Sequence, residues 1–212
     1  REFDVANIVY SSTAGLYRPQ LTSLSEKDQI GSNNPYANSK YAAECAIRDS
    51  KLNSVIFRFF NLAGADPDGE MGEEHDPETH LIPLMFKSLN NEEFTVYGKD
   101  YNTPDGTCIR DYVHVSDIAE AHVAAANHLY NKNPSVTMNL GTGKGHSILE
   151  MLHELEKIIG RKIDYTVKPR RQGDADSLVA DTYLARKILR YEPKHDIASI
   201  LSTAYKWHTK GE

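Results

Sequence analysis

The chain has 212 residues, 40% hydrophobic and 25% charged, an ordinary globular composition with enough apolar material to bury a core. A formal net charge of -6 gives no general attraction to nucleic acid or anionic lipid, and no apolar run approaches the roughly 20 residues that cross a bilayer. Two cysteines, Cys45 and Cys108, make no disulfide framework; both are expected in the core of a soluble, cytoplasmic protein.

The opening "REFDVANIVYSS" lacks an initiating methionine and runs almost at once into apolar sequence, as though the numbering began inside a larger fold. Residues 5–12 are short and β-branched, which predicts a strand buried on both faces of a parallel sheet. A loop rich in Ser, Asn and Gly follows. Asn34 then offers an N-cap oxygen and Pro35 suits the first helical position, predicting a helix over about 35–51. "SVIFRFF" (54–60) reads as a second buried strand, completing a βαβ unit with a right-handed crossover. Residues 63–80 are polar, acidic and rich in Gly and Pro, as in a long functional loop. The pattern then predicts a helix over about 80–90, a strand at 94–98, a helix at 115–130 capped by Ser116, and a strand at 136–143. Ser147 with Glu150 makes a capping box, and a strand near 163–167 and helices near 182–190 and 196–208 complete the chain.

Chemistry is expected first at "NPYANSKYAAE", where Tyr36 and Lys40 lie four residues apart and share a helix face. An ammonium a few ångströms from a phenol favours the phenolate, which can take a proton from a sugar hydroxyl. The bare spacing is more often a chance surface pair. Context changes that weighting, because Ser11, Ser12 and Thr13 place hydroxyls at the carboxyl end of the preceding strand, where ligands of open parallel sheets collect. Strand-end hydroxyls, a Tyr-x-x-x-Lys helix and a parallel βαβ unit together form the constellation of the short-chain dehydrogenase/reductase superfamily. "GTGKG" (141–145) lacks phosphate-loop spacing and reads as a turn. His75 and His80 form a weak pair for metal at their loop spacing, and no metal site is expected.

In order along the chain, "NIVYSSTAGLY", "NPYANSKYAAE", "FRFFNLAGADPDGEMGE", "HLIPLM", "DGTCIRDYVHV", "NLGTGKGHS", "KPRRQGDADSLVAD" and "YKWH" resemble the UDP-galactose (UDP-glucose) 4-epimerase family. The most specific of these are "DGTCIRDYVHV" and "PRRQGD". The resemblance implies an α/β fold: the C-terminal part of a Rossmann-like parallel sheet plus a smaller mixed α/β substrate domain. Residues 1–60, with a strand returning near 136–143, would belong to the dinucleotide-binding domain, and 61–212 mainly to the UDP-sugar domain. It implies Tyr36 as the base at the sugar 4-hydroxyl, Lys40 on the nicotinamide ribose of NAD, and Thr13 passing or polarising the proton, with Ser11 beside the cofactor. It implies Asn61, Arg110 and Arg171 on the UDP diphosphate and Asp174 near the UDP ribose. His80, Leu81, Thr95 and Tyr97 would line the uridine, His80 standing where asparagine is frequent. Leu178 falls where the family reads a gate for N-acetylated sugars.

The family's N-terminal Gly-x-x-Gly-x-x-Gly, which cradles the NAD pyrophosphate, is made by none of the 13 glycines here. By resemblance, roughly the first four strands of the dinucleotide domain are absent, which leaves the apolar edge of "NIVYSS" to be covered by something else. A missing N-terminal segment or a homodimer are the expected partners, besides the UDP-sugar. Two readings follow: the C-terminal part of an epimerase, or an inactive remnant or UDP-sugar-binding module. Within enzymes, an epimerase of a related N-acetylhexosamine or pentose is the rival. Dehydratases need an acidic pair beside the hydroxyl, and Thr13 is followed by Ala14 and Gly15.

Overall fold

The computed structural model describes residues 5–20, 22–31, 34–90 and 92–210. Arg1–Asp4 of the opening stretch, and Ser32 and Asn33 of the loop expected after the first strand, lie outside them. The βαβ unit is present as β1 (Asn7–Thr13), α1 (Pro35–Asp49) and β2 (Asn53–Phe59). β1 runs parallel to β2, in register from Asn7 opposite Asn53 to Thr13 opposite Phe59. β7 (Val136–Leu140) pairs with the other edge of β2, also parallel, so the order is β1-β2-β7. α1 starts as its sequence demands: the Asn34 side chain accepts from Tyr36 N at 2.8 Å, and Pro35 needs no donor there.

Burial differs along this sheet. β2, paired on both edges, is buried from Ser54 to Arg58. β1 is half-buried apart from the exposed Asn7 and the buried Ser12, contrary to the two-sided burial expected of it, because among the described residues only β2 flanks it. α3 (Val115–Tyr130) and α5 (Tyr183–Leu189) cover the sheet through a core that includes Phe57, Ile118, Ala125, Met138, Leu140 and Ala185. The N-cap of α3 is His114, not Ser116: His114 Nδ1 accepts from Ser116 N at 3.1 Å. The helix spans Val115–Tyr130 as expected, so Ser116 lies inside its first turn and supplies a donor rather than a cap.

A second core joins α2 (Leu81–Lys87), β4 (Phe94–Tyr97), α4 (Ile148–Ile159), β9 (Tyr165–Lys168) and α6 (Ile197–His208), around Met85, Phe86, Val96, Met151, Leu155 and Leu201. β4 and β9 pair in parallel. The capping box of α4 closes both ways, with Ser147 Oγ accepting from Glu150 N at 3.1 Å and Glu150 Oε2 from Ser147 N at 2.9 Å. Five shorter strands add two small sheets. β3 (Asn61–Ala63) pairs with β6 (Tyr112–His114), and β5 (Ile109–Arg110) lies between β8 (His146–Ser147) and β10 (Ser177–Leu178). Strands of two or three residues are too short for alternation to announce them.

Residues 64–80 hold no helix or strand, as expected, but the loop is tied down by α6 and the residues just after it. Thr203 Oγ1 accepts from Ala65 N at 3.2 Å, Lys206 Nζ donates to Pro67 O at 2.8 Å, Lys210 Nζ donates to Gly69 O, and Trp207 Nε1 donates to Glu73 O at 3.2 Å. Gly72 passes so close to Trp207 that a Cβ there would come within 2.2 Å of the indole. Cys108 is buried, as expected, whereas Cys45 is only partly so. Among the described residues no helix is long and apolar enough to cross a membrane.

Candidate active site

The structure brings Tyr36, Lys40 and the carboxyl end of β1 together. Lys40 Nζ donates to Ser11 O at 2.9 Å and lies 5.8 Å from the centre of the Tyr36 ring and 5.3 Å from that of Tyr10. One hydrogen bond from an ammonium leaves two N–H donors for a ligand. Tyr36 is 58% exposed, so its phenol faces outward from the first turn of α1. Thr13 ends β1 and accepts from Gly15 N at 3.1 Å through its hydroxyl, which keeps its own proton to donate. Gly15 lies between Thr13 and Ala37, where an added Cβ would stand 3.4 Å from Thr13 Oγ1 and 4.0 Å from Ala37 Cβ. Thr13 therefore adjoins the first turn of α1. Ser11 acts differently from its neighbours: its hydroxyl turns to the opposite sheet face, 3.3 Å from His122 Nε2, and only its carbonyl meets Lys40.

Behind this exposed pair is a buried polar network that no motif announces. Tyr36, Lys40 and Glu44 follow one another at i, i+4 and i+8 along one helix face. Glu44 is 0% exposed and Arg58, in the middle of β2, is 2% exposed. Their pairing is bidentate, Arg58 Nε to Glu44 Oε1 at 3.0 Å and Arg58 Nη2 to Glu44 Oε2 at 2.8 Å. Ser12 Oγ adds a bond to Glu44 Oε1 at 2.6 Å, fastening β1 to the same carboxylate, and Arg48 Nη2 reaches Oε2 at 2.6 Å. Arg58 Nη1 continues to Tyr17 Oη at 3.0 Å, and that hydroxyl donates to Asn139 Oδ1 at 2.6 Å. Burial alone would raise the Glu44 carboxyl, but the hydrogen bonds and charge of Arg58, with Ser12 and Arg48, outweigh it and hold Glu44 below the ordinary 4.5. Burial pushes the Tyr17 phenol up to about 12, so it stays a donor. The sequence signal was a single arginine inside the apolar run "SVIFRFF".

A second cluster gathers most of the residues assigned to the nucleotide. Arg110 is buried, with Nη1 donating to Ile109 O and Ala175 O at 2.8 and 2.9 Å, and Nη2 bonded to Asp174 Oδ1 at 2.5 Å. Tyr101 donates to Asp174 Oδ2 at 3.1 Å, and burial, then the Asp174 charge, raise its phenol. The Arg171 guanidinium lies over the Tyr97 ring at 4.4 Å and makes no ion pair among the described residues. Arg170, in contrast, lies 3.5 Å from both Asp100 and Asp176. Leu178 stands opposite Arg110 in the β10–β5 register, partly buried beside Ala14, Leu24 and Phe60. Asn61 adjoins this group through its backbone, Asn61 N donating to Asp111 O at 2.9 Å, while its side chain is exposed. Thr95 contacts Thr166 at 3.5 Å across β4–β9, away from Asp174 in its bonding. His80 is the N-cap residue of α2 without a side-chain cap bond, and Leu81 begins that helix, partly buried.

Asp111 was also missed. Its buried carboxylate accepts from Thr142 N and Oγ1, Gly143 N and Ala180 N. This explains the first glycine of "GTGKG": a Cβ at Gly141 would lie 2.5 Å from Asp111 Oδ2, and the amides of Thr142 and Gly143 are spent on a side chain rather than on phosphate. A cavity of about 570 Å³ between α2, α6 and the acidic loop is lined by none of the residues named for the site.

Residues 1–141 match the family described as NAD dependent epimerase/dehydratase family. A UDP-glucose 4-epimerase of Rhizobium meliloti (strain 1021) is 43% identical over 95% of this chain and 64% of its own length. The crystal structure of UDP-glucose 4-epimerase from Brucella ovis in complex with NAD superposes with a TM-score of 0.88 at 42% identity, over 94% of this chain and 64% of that one. The enzyme from Bifidobacterium longum, in complex with NAD+ and UDP, gives 0.88 at 36% identity, over 97% and 64%. The chain thus spans 64% of the length of these relatives.

Proposed function

The chain belongs to the NAD dependent epimerase/dehydratase family, and on that premise we propose that it carries the proton-transfer and UDP-sugar-binding groups of an enzyme interconverting UDP-galactose and UDP-glucose at sugar C4. The single observation carrying this reading is the placement of Lys40 between the Tyr36 ring and the Ser11 carbonyl at the carboxyl end of a parallel strand. Bound NAD supplies a hydride acceptor that gives the hydride back within the same turnover. Tyr36 removes the proton of the 4-hydroxyl as C4 is oxidised and returns it after the 4-keto sugar has turned its other face. Thr13, its hydroxyl proton still available, polarises the same oxygen. Lys40 offers its two remaining donors to the nicotinamide ribose. The residues present fit the nicotinamide end of NAD, and no Gly-x-x-Gly-x-x-Gly lies among these 212 residues.

Arg110 and Arg171 would hold the diphosphate, with Asn61 at the start of β3, and Asp174 the ribose of UDP. His80, Leu81, Thr95 and Tyr97 would bound the uridine. The β1-β2-β7 sheet is the dinucleotide side and the core around Met85 and Leu201 the UDP-sugar side. A homodimer in the cytoplasm is part of the same proposal, the two unpaired cysteines supporting a reducing compartment. Leu178, which is smaller than tyrosine and stands opposite Arg110, would also admit an N-acetylated UDP-hexosamine as a second substrate.

The test is turnover of UDP-galactose by the natively purified protein, with polypeptide masses and released NAD read from the same sample. Formation of UDP-glucose that disappears in Tyr36→Phe supports the proposal. UDP-sugar binding without turnover, NAD being present, would make the protein a binding module and overturn it.

A further inference from the structure

We propose that His75, Glu78 and His80, with Glu73 beside them, form a binding site for one divalent transition-metal ion of the zinc class. This goes beyond the epimerase reading and does not depend on it. The loop spacing of the two histidines argued against a metal; the fold supplies the third donor that spacing cannot show. His75, Glu78 and His80 each place a ligand atom within 4.8 Å of the others.

Glu78 is the fixed point. Its side chain is 3% exposed, and its Oε1 accepts from Thr79 N and His80 N, each at 2.7 Å. His75 Nδ1 lies 3.9 Å and His80 Nδ1 3.8 Å from that same oxygen. These distances are too long for hydrogen bonds. They are close to the separation of about 3.4 Å between donors that share one tetrahedral ion, since Zn–N and Zn–O bonds are each about 2.0–2.2 Å. The two rings stack 5.2 Å apart at 14°, so a small rotation of one ring brings both nitrogens onto one ion. Glu73 Oε1 also contacts His80 Nδ1, so a second carboxylate is in reach as a fourth ligand once that nitrogen is deprotonated.

The surroundings favour a cation. Glu73, Glu74, Asp76 and Glu78 line the large cavity together with His75, against Lys87 and Arg161 on the same wall. Such an excess of carboxylates raises the local cation concentration. The ligand-bearing stretch is also held at both ends, at Glu73 O by Trp207 Nε1 and at His80 by the start of α2. Imidazole and carboxylate donors suit Zn²⁺, Co²⁺, Ni²⁺ and Cu²⁺ better than Mg²⁺ or Ca²⁺.

The test uses the full chain without an affinity tag, stripped with a chelator and titrated with Zn²⁺ by calorimetry and with Co²⁺ by visible absorption. One Zn²⁺ per chain is expected, with a Co²⁺ spectrum showing nitrogen ligation. His75→Asn, at a half-exposed position, should weaken Zn²⁺ binding about ten-fold or more while circular dichroism stays unchanged, and Glu78→Gln should do the same. The neighbouring Glu74→Gln should change the affinity by less than about two-fold, which separates ligation from surface charge. Non-stoichiometric binding, or an affinity in His75→Asn within about two-fold of the parent, would overturn the site.

Discussion

The two ends of the proposed site are built in opposite ways. At the Tyr36 end the reacting side chain is 58% exposed and its support lies two turns further along α1, where Glu44 is 0% exposed and clamped by Arg58, Ser12 and Arg48. At the Arg110 end the cation itself is buried, already met by two carbonyls and by Asp174, while Arg171 stays on the surface over Tyr97. The first end sets a solvent-facing phenol on a rigidly held helix, as the proposed proton transfer requires. The second keeps one fixed and one adaptable guanidinium, as suits a ligand that must bind and leave.

The sharpest way to separate these roles is to remove a single atom from the exposed end. Tyr36→Phe should lower epimerisation by about 10²–10⁴-fold, the range of general acid–base catalysis, and leave the unfolding midpoint unchanged. Glu44→Ala should show the reverse pattern. It strands the Arg58 charge in a closed site and should cost about 3–5 kcal/mol in chemical denaturation. At the other end, Arg171→Ala should weaken UDP binding in calorimetry by about ten-fold or more without loss of stability, in line with charged hydrogen bonds worth about 1.5–3 kcal/mol. Arg110→Ala should weaken both binding and stability, because it also leaves Asp174 and two carbonyls without their partner. Equal stability in these two variants would erase the contrast.

Acidity gives a smaller test. Glu44 sits below its ordinary 4.5, so its contribution is complete above that value and is lost as pH falls through the depressed folded value. Stability measured across pH 3–5, a range set by the ordinary carboxylate value, should therefore decline in the parent, and Glu44→Gln should flatten that limb. The smallest effect is expected at Leu178. Leu178→Tyr should reduce turnover of the N-acetylated sugar relative to the plain one by about ten-fold, the upper end of what pocket size alone discriminates being somewhat higher. An unchanged ratio would remove Leu178 from specificity.

Much of this was legible in the chain because it follows from short-range chemistry. Asn34-Pro35 places the start of α1, Ser147 with Glu150 closes the box on α4, and β-branched runs mark β1 and β2. Tyr36 and Lys40 were visible because helical spacing is local. Glu44 and Arg58 were not, since their pairing joins a helix to a strand and the only hint was an arginine among apolar residues. Asp111 was hidden for the same reason: its partners come from Thr142, Gly143 and Ala180, more than 30 positions on. Ser11 misled because a hydroxyl on a strand faces one side or the other, and here it faces His122 while its carbonyl holds Lys40.

The central claim is that Tyr36 exchanges the oxygen-bound proton while the carbon-bound hydrogen leaves C4 and returns to it. Supplying the natively purified protein with UDP-galactose deuterated at C4 tests this directly. The expected result is UDP-glucose that keeps its deuterium at C4, formed in protonated water and no longer formed by Tyr36→Phe. Product that has lost its deuterium to solvent, or undiminished turnover in Tyr36→Phe, would contradict the account.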